Sequence, residues 1–145
     1  MSLLSAWEVS ATGLEAQRFR VELLVQNLAN SETTRTPEGG PYRRRDAIFA
    51  STPMPAPFRA MLAGYLGEPL TGVTVTDVVV DESEPERRYV PGHPDADAEG
   101  YVAFPRLSPI EDMVDLTAAV RSYQANLAAM GAVREMLHRS IDLLR

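Results

Sequence analysis

The chain has 145 residues, of which 45% are hydrophobic and 23% are charged, and its formal net charge is −6. These values are typical of one globular domain, and the acidic balance without a basic face argues against a nucleic-acid-binding protein. Cysteine is absent, which excludes disulfide bonds, thiolate metal sites and a cysteine nucleophile.

A long helix is predicted over residues 3–30, because apolar residues recur there at a spacing of seven. The principal track consists of Trp7, Leu14, Val21 and Leu28, and the companion track consists of Leu4, Ala11 and Val25. Arg18 interrupts the companion track. Additional apolar residues widen this surface, which indicates contact with more than one neighbour.

Three further residues of this helix concern its packing and its end. Gly13 costs about 1 kcal/mol relative to alanine inside a helix, so it is either tolerated strain or the mark of a close helix crossing. Asn27 and Asn30 indicate where the helix ends, since asparagine tolerates the left-handed conformation of a C-cap.

Residues 31–107 differ in composition from both ends of the chain. They contain ten of the eleven prolines and seven of the nine glycines. This composition excludes a long helix and favours short strands joined by turns. Alternating and β-branched residues predict strands over residues 44–51, 72–81, 87–90 and 101–104, whereas residues 58–66 are compatible with a short helix or a strand.

A second long helix is predicted over residues 108–145. Ser108 and Glu111 have capping-box spacing, and Pro109 occupies the first helical position, where its missing N–H has no cost. Two apolar tracks at heptad spacing follow, one formed by Met113, Val120, Leu127 and Ile141, the other by Leu116, Tyr123, Met130, Leu137 and Leu144. Arg134 interrupts the first of these tracks.

These elements predict an α+β protein in two parts. Residues 1–30 and 108–145 form paired terminal helices, an antiparallel coiled-coil hairpin, and residues 31–107 form a small β-rich domain inserted between them. A hairpin of two helices buries one stripe of each helix, so the remaining apolar surface is expected to pack against other subunits. The alternative is a monomer in which both seams pack onto the β insert.

The seam residues are therefore the predicted assembly interface. Arg18 and Arg134 lie in otherwise apolar tracks, and an unpaired charge in such a place costs several kcal/mol. We expect both arginines to pair with carboxylates.

The sequence gives little evidence of catalysis or of metal binding. Asp95–Val102 matches the first half of an EF-hand loop, but Arg106 stands where the bidentate glutamate belongs, so a polar turn is the simpler interpretation. His93 and His138 do not have a metal-ligand spacing, and Arg43–Arg45 are interpreted as surface or interface contacts. We predict no catalytic residue, no cofactor and no metal site.

The first residues, Met1–Glu8, lack a basic n-region and a long apolar run, so a cleaved signal peptide is not expected. Along the rest of the sequence, no stretch approaches the roughly 18 apolar residues that span a membrane. We therefore predict no direct membrane span.

Six segments carry a resemblance to a known family. They are Ser10–Arg18, Asn27–Asn30 with Thr33, Gly39–Arg44, Tyr89–Asp97 with Gly100–Val102, Glu111–Leu116 and Arg121–Leu127. Together they resemble the axial proteins of the bacterial flagellar rod and hook, and within that family the proximal-rod subunits.

The resemblance implies a structural subunit of the flagellar basal body that polymerises helically and transmits motor torque to the hook. It implies an inner tube of paired terminal helices with the β domain outside them. The implied partners are further copies, other proximal-rod proteins and the export-gate adaptor, and the implied location is the periplasm-spanning rod, reached by type III export without a cleaved signal. From the residues alone, a non-flagellar coiled-coil oligomerisation or binding module and a small carboxylate enzyme stay open.

Overall fold

The structure is a computed structural model that describes residues 3–54 and 71–143. In chain order its elements are α1 (Leu3–Ala29), β1 (Arg45–Pro53), β2 (Thr71–Val80), β3 (Glu86–Tyr89), β4 (Tyr101–Phe104) and α2 (Pro109–Asp142). The prediction of an α+β protein with a long helix at each end is confirmed. Residues 58–66 and the predicted seam residue Leu144 lie outside the described residues.

The strands form two antiparallel hairpins. β1 pairs with β2 over their whole length, with a bulge between Ile48 and Phe49, and β3 pairs with β4. The β-branched residues of β2, such as Val73 and Val75, favour an extended and half-exposed strand. The loop before β1 turns at Gly39 and Gly40, whose φ angles of +92° and +76° lie in the left-handed region that suits glycine.

The start of α2 and the end of α1 are stabilised by different hydrogen bonds. Ser108 caps α2 as predicted, since its side chain accepts a hydrogen bond from the N–H of Glu111 and Pro109 follows it. The prediction of a left-handed asparagine at the end of α1 is wrong, because every described residue with a positive φ is a glycine. Asn30 instead donates both its backbone N–H, at 3.0 Å, and its side-chain N–H, at 2.8 Å, to the carbonyl of Gln26 near the end of the helix.

α1 is the central element of the described residues. It packs against α2 on one side and against β1 and β2 on another, whereas among the described elements α2 packs against α1 alone. The apolar core is correspondingly small and lies mainly along the helices: Ala16, Leu23, Leu24, Tyr42, Val102, Ala119 and Val133.

Candidate assembly surface

One face of α1 carries the β1–β2 hairpin. Ala16 and Leu23 on this face are buried, and the N–H of Val73 in β2 donates to the hydroxyl of Thr12 at 3.1 Å. A Cβ on Gly72 would lie 2.9 Å from the same hydroxyl, so the strand approaches the helix as closely as a glycine allows. The β insert of the same chain thus covers part of the apolar surface of α1 that lies outside its principal heptad track. This contact agrees in part with the alternative prediction of a monomer whose helices pack onto the β insert.

A second face of α1 packs against α2, and the two helices run antiparallel. Gly13 lies beside Asn126, and Val21, further along α1, lies beside Val120 and Tyr123, which come earlier in α2. A Cβ on Gly13 would be 3.1 Å from the amide nitrogen of Asn126, so this glycine marks a close approach of the two helices.

The residues of α2 that face α1 only partly match the predicted seam. Leu116, Tyr123, Met130 and Leu137 are half-buried, in agreement with a position along the contact between the helices. Their companion track is formed by Asp112, Ala119, Asn126 and Val133, one residue before each predicted position. Ala119 is small and 2% exposed, so it suits a close approach of the two helices.

The other predicted track of α2 lies at the surface of the chain. Met113, Val120, Leu127 and Ile141 are 54%, 37%, 54% and 59% exposed, respectively. At these exposures the track is not a buried seam between the two helices of one chain. We name these four residues the outer stripe, and as a surface for a neighbouring subunit the outer stripe stays a prediction.

The predicted track of α1, consisting of Trp7, Leu14, Val21 and Leu28, is half-buried throughout. Val21 and Arg18 line a shallow groove of about 230 Å³ together with Val120 and Tyr123 of α2. This groove joins the α1 track to the outer stripe, so the two helices share an apolar flank that a partner could cover.

The two arginines in the predicted seams do not share one environment. Arg18 pairs with Glu22 of the same helix at 3.0 Å, but its side chain is 71% exposed, so the pair contributes little to stability. Arg134 is exposed and, within the described part of the chain, pairs with no carboxylate. The pairing expected for Arg134 stays a prediction.

A polar cluster that the sequence did not reveal joins the insert to the helix pair. Asn27 is fully buried; its Nδ2 donates to the carbonyl of Arg45 at 2.9 Å, and its Oδ1 accepts from the N–H of Arg45 at 3.0 Å and from the Tyr42 hydroxyl at 2.9 Å. Arg44 places its Nη1 3.0 Å from Oδ1 of Asp112, which is fully buried in the first turns of α2. We name Asn27, Tyr42, Arg44, Arg45 and Asp112 the junction cluster.

The charges of the junction cluster are unevenly matched. Arg44 also lies 2.9 Å from Asp46 and 3.9 Å from Asp115, so one guanidinium serves three carboxylates. Neither carboxylate oxygen of Asp112 has an aligned hydrogen-bond donor among the described residues, so its attraction to Arg44 is chiefly Coulombic. Burial raises the pKa of Asp112, and the positive charge of Arg44 opposes that rise.

In the loop that resembles half of an EF-hand, the carboxylates of Asp95 and Asp97 accept hydrogen bonds from other groups of the chain. Oδ1 of Asp97 accepts hydrogen bonds from the N–H groups of Glu99 and Tyr101, and Oδ2 of Asp95 accepts one from the Thr34 hydroxyl. These bonds hold a polar turn. Among the described residues, no three His, Asp or Glu side chains are grouped in a way that could hold a metal ion, and no helix is long and apolar enough to cross a membrane.

Comparisons with known proteins agree on one family. Residues 98–143 match the family described as "Flagellar basal body rod FlgEFG protein C-terminal". The chain is 38% identical to the flagellar basal-body rod protein FlgC of Borreliella burgdorferi, over 100% of this chain and 99% of that protein. It is 37% identical to FlgC of Bacillus subtilis, over 99% of each chain, and 31% identical to FlgC of Aquifex aeolicus, over 98% of this chain and 97% of that protein.

The full-length matches cover the helices and the β insert alike, so they account for the whole architecture and not for its terminal helices alone. They do not favour a non-flagellar binding module, and they place the chain among structural rod proteins, not among enzymes. The chain belongs to the FlgC family of flagellar basal-body rod proteins.

Proposed function

We propose that this structural subunit of the flagellar basal-body rod polymerises helically through the apolar flank of its helix pair and so transmits motor torque to the hook. The observation that carries the proposal is the outer stripe, whose apolar residues recur at heptad spacing and are exposed in the single chain. Apolar area of this kind is stabilised when a neighbouring subunit removes it from water.

We further infer that α1 and α2 form an antiparallel coiled-coil hairpin. Half-buried residues recur at heptad spacing on both helices, which supports this packing mode. In the rod such hairpins would line an inner tube, with the β insert outside them. Further copies, other proximal-rod proteins and the export-gate adaptor are the proposed partners.

The route to the rod is part of the same proposal. A subunit that is exported by the flagellar type III apparatus reaches the periplasm-spanning rod without cleavage of a signal.

The outer stripe can be tested by complementing a deletion of the gene. Leu127→Asp places a charge in the centre of the stripe and should abolish rods in purified basal bodies and motility, because burying an unpaired carboxylate against a partner is strongly unfavourable. Met136→Asp is the matched control, since Met136 is 46% exposed on the same helix but lies nine residues later, half a turn away around the helix axis.

The proposal predicts that Met136→Asp restores rods and that Leu127→Asp does not, with both variants exported in equal amounts. Rods with both variants would contradict the role of the stripe. Rods with neither variant would also contradict it, because the effect would then not depend on the face of the helix. A deletion strain that still builds rods would contradict the rod function itself.

A further inference from the structure

The junction cluster connects the β insert to both helices through two consecutive residues. Asn27 at the end of α1 binds both backbone groups of Arg45, in the way that a neighbouring strand would. The preceding residue, Arg44, directs its side chain to Asp112 at the start of α2. The beginning of β1 is therefore held by α1 and in turn supplies a cation to α2.

The start of α2 depends on that cation. Asp112 is fully buried, and Arg44 is the one cation among the described residues that pairs with it. Without Arg44, the first turns of α2 would enclose an uncompensated carboxylate, which is strongly destabilising. No described strand packs against α2, so Arg44 is a principal link between the insert and this helix.

We infer that the junction cluster makes the ordering of the first turns of α2 conditional on docking of the β insert against α1. Asn27 and Tyr42 fix the start of β1, the fixed strand presents Arg44, and Arg44 compensates Asp112. This inference rests on the proposed rod function in one respect: in a rod that carries torque, the cluster is one path, beside the direct contact of α1 with β1 and β2, by which load on the helix pair reaches the insert. Asn27 and Tyr42 are thus positioning residues that act through Arg44.

The coupling can be measured by hydrogen–deuterium exchange on the purified full-length chain. Asn27→Ala should accelerate exchange of the amides of residues 113–117 by about tenfold, as well as those at the start of β1, because the strand no longer holds Arg44 in place. Asn30→Ala is the matched control. Asn30 belongs to the same helix end but hydrogen-bonds only within that region, so its variant should change exchange at 113–117 by less than about twofold.

A double variant distinguishes coupling through Arg44 from local destabilisation that does not involve Arg44. In an Arg44→Gln background the link to α2 is already cut, so adding Asn27→Ala should leave exchange at residues 113–117 unchanged. If Asn27→Ala has the same additional effect with and without Arg44, the residues act independently and the inference is wrong. Fast exchange at 113–117 in the unmodified chain would also overturn it, since the cluster would then not order the helix.

Tyr42→Phe distinguishes a local effect on the junction cluster from global unfolding of the chain. It removes one of the three hydrogen bonds of Asn27 and retains the aromatic ring, so it should accelerate exchange at β1 and at residues 113–117 by a smaller factor, while residues 130–140 stay protected. Equal acceleration over the whole chain would contradict the inference. These measurements require no rod, so failure of the rod proposal and failure of the coupling are distinguishable.

Discussion

Removing Arg44 should destabilise the chain far more than removing the charge of its partner Asp112. Arg44 has carboxylates of Asp46, Asp112 and Asp115 at 2.9, 3.0 and 3.9 Å, so it stays paired when Asp112 is neutralised. Asp112 has only Arg44 among the described residues. Arg44→Gln therefore leaves a buried charge without compensation, whereas Asp112→Asn does not.

The expected magnitudes follow from this asymmetry. Loss of one partner of a buried ion pair costs about 3–5 kcal/mol. The Arg44 side chain is 22% exposed, so water can partly replace it, and we expect about 3 kcal/mol for Arg44→Gln at pH 7. For Asp112→Asn we expect a change within about 1 kcal/mol, because the amide requires no counter-charge and the burial penalty of the carboxylate disappears.

The pH dependence of Arg44→Gln has a definite sign. Burial already raises the pKa of Asp112 in the folded state, and loss of the positive charge of Arg44 raises it further. A carboxyl group with a raised folded-state pKa favours folding when it is protonated, and this contribution is lost as the pH rises through that pKa. The destabilisation caused by Arg44→Gln should hence be greatest near pH 8 and shrink as the pH is lowered towards 5.

Urea unfolding of the unmodified chain and the variants between pH 5 and pH 8 tests this reasoning. Differences between variants cancel titrations on which Arg44 has no influence, such as that of Glu86, whose pKa is lowered by its hydrogen bond to Arg88. Arg43→Gln, one residue away and exposed, is the control and should have little effect. A smaller loss for Arg44→Gln than for Asp112→Asn at pH 7, or a loss that grows as the pH falls, would refute the argument.

Two further predictions concern the helix–strand contact and the N-terminus. Gly72→Ala should lower the free energy of unfolding by about 1–3 kcal/mol in urea titrations, because its Cβ would lie 2.9 Å from the Thr12 hydroxyl, which is fixed by hydrogen bonds to Val9 and Val73. Gly131→Ala, where a Cβ meets nothing within 4 Å, should instead raise it by up to about 1 kcal/mol, and a loss at both positions would contradict the contact. Mass spectrometry of the subunit from purified rods should find the N-terminal residues intact, apart from removal of Met1, and a truncated chain would contradict export without cleavage.

Much of the fold could be predicted because its local signals are strong. The four predicted strands agree with the observed ones to within two residues, since β-branched runs such as those of β2 end at glycine, proline or acidic turns. The start of α2 was equally predictable from Ser108 and Pro109, whose roles depend on local geometry alone.

The register of the helix pair could not be predicted from hydrophobicity. α2 carries adjacent heptad tracks, and one of the two predicted tracks, which begins at Met113, does not face α1. The facing track contains Asp112 and Asn126, whose places depend on partners remote in the sequence, Arg44 and Gly13. Asn27 was missed for the same reason: its side chain resembles that of a helix cap until the backbone of Arg45 is brought beside it.

The arrangement of α2 bears directly on where its stability comes from. Towards α1 it presents Leu116 and Tyr123 beside Ala119, whereas Met113 and Leu127 are exposed. Part of its large apolar surface therefore does not stabilise an isolated chain. Exposed apolar area contributes nothing to folding until a partner covers it, after which stability depends on the concentration of subunits. Leu127→Asp should consequently stop assembly while leaving the unfolding free energy of the single chain within about 0.5 kcal/mol of its original value, and a large loss in the monomer would mean that the stripe already packs within the chain.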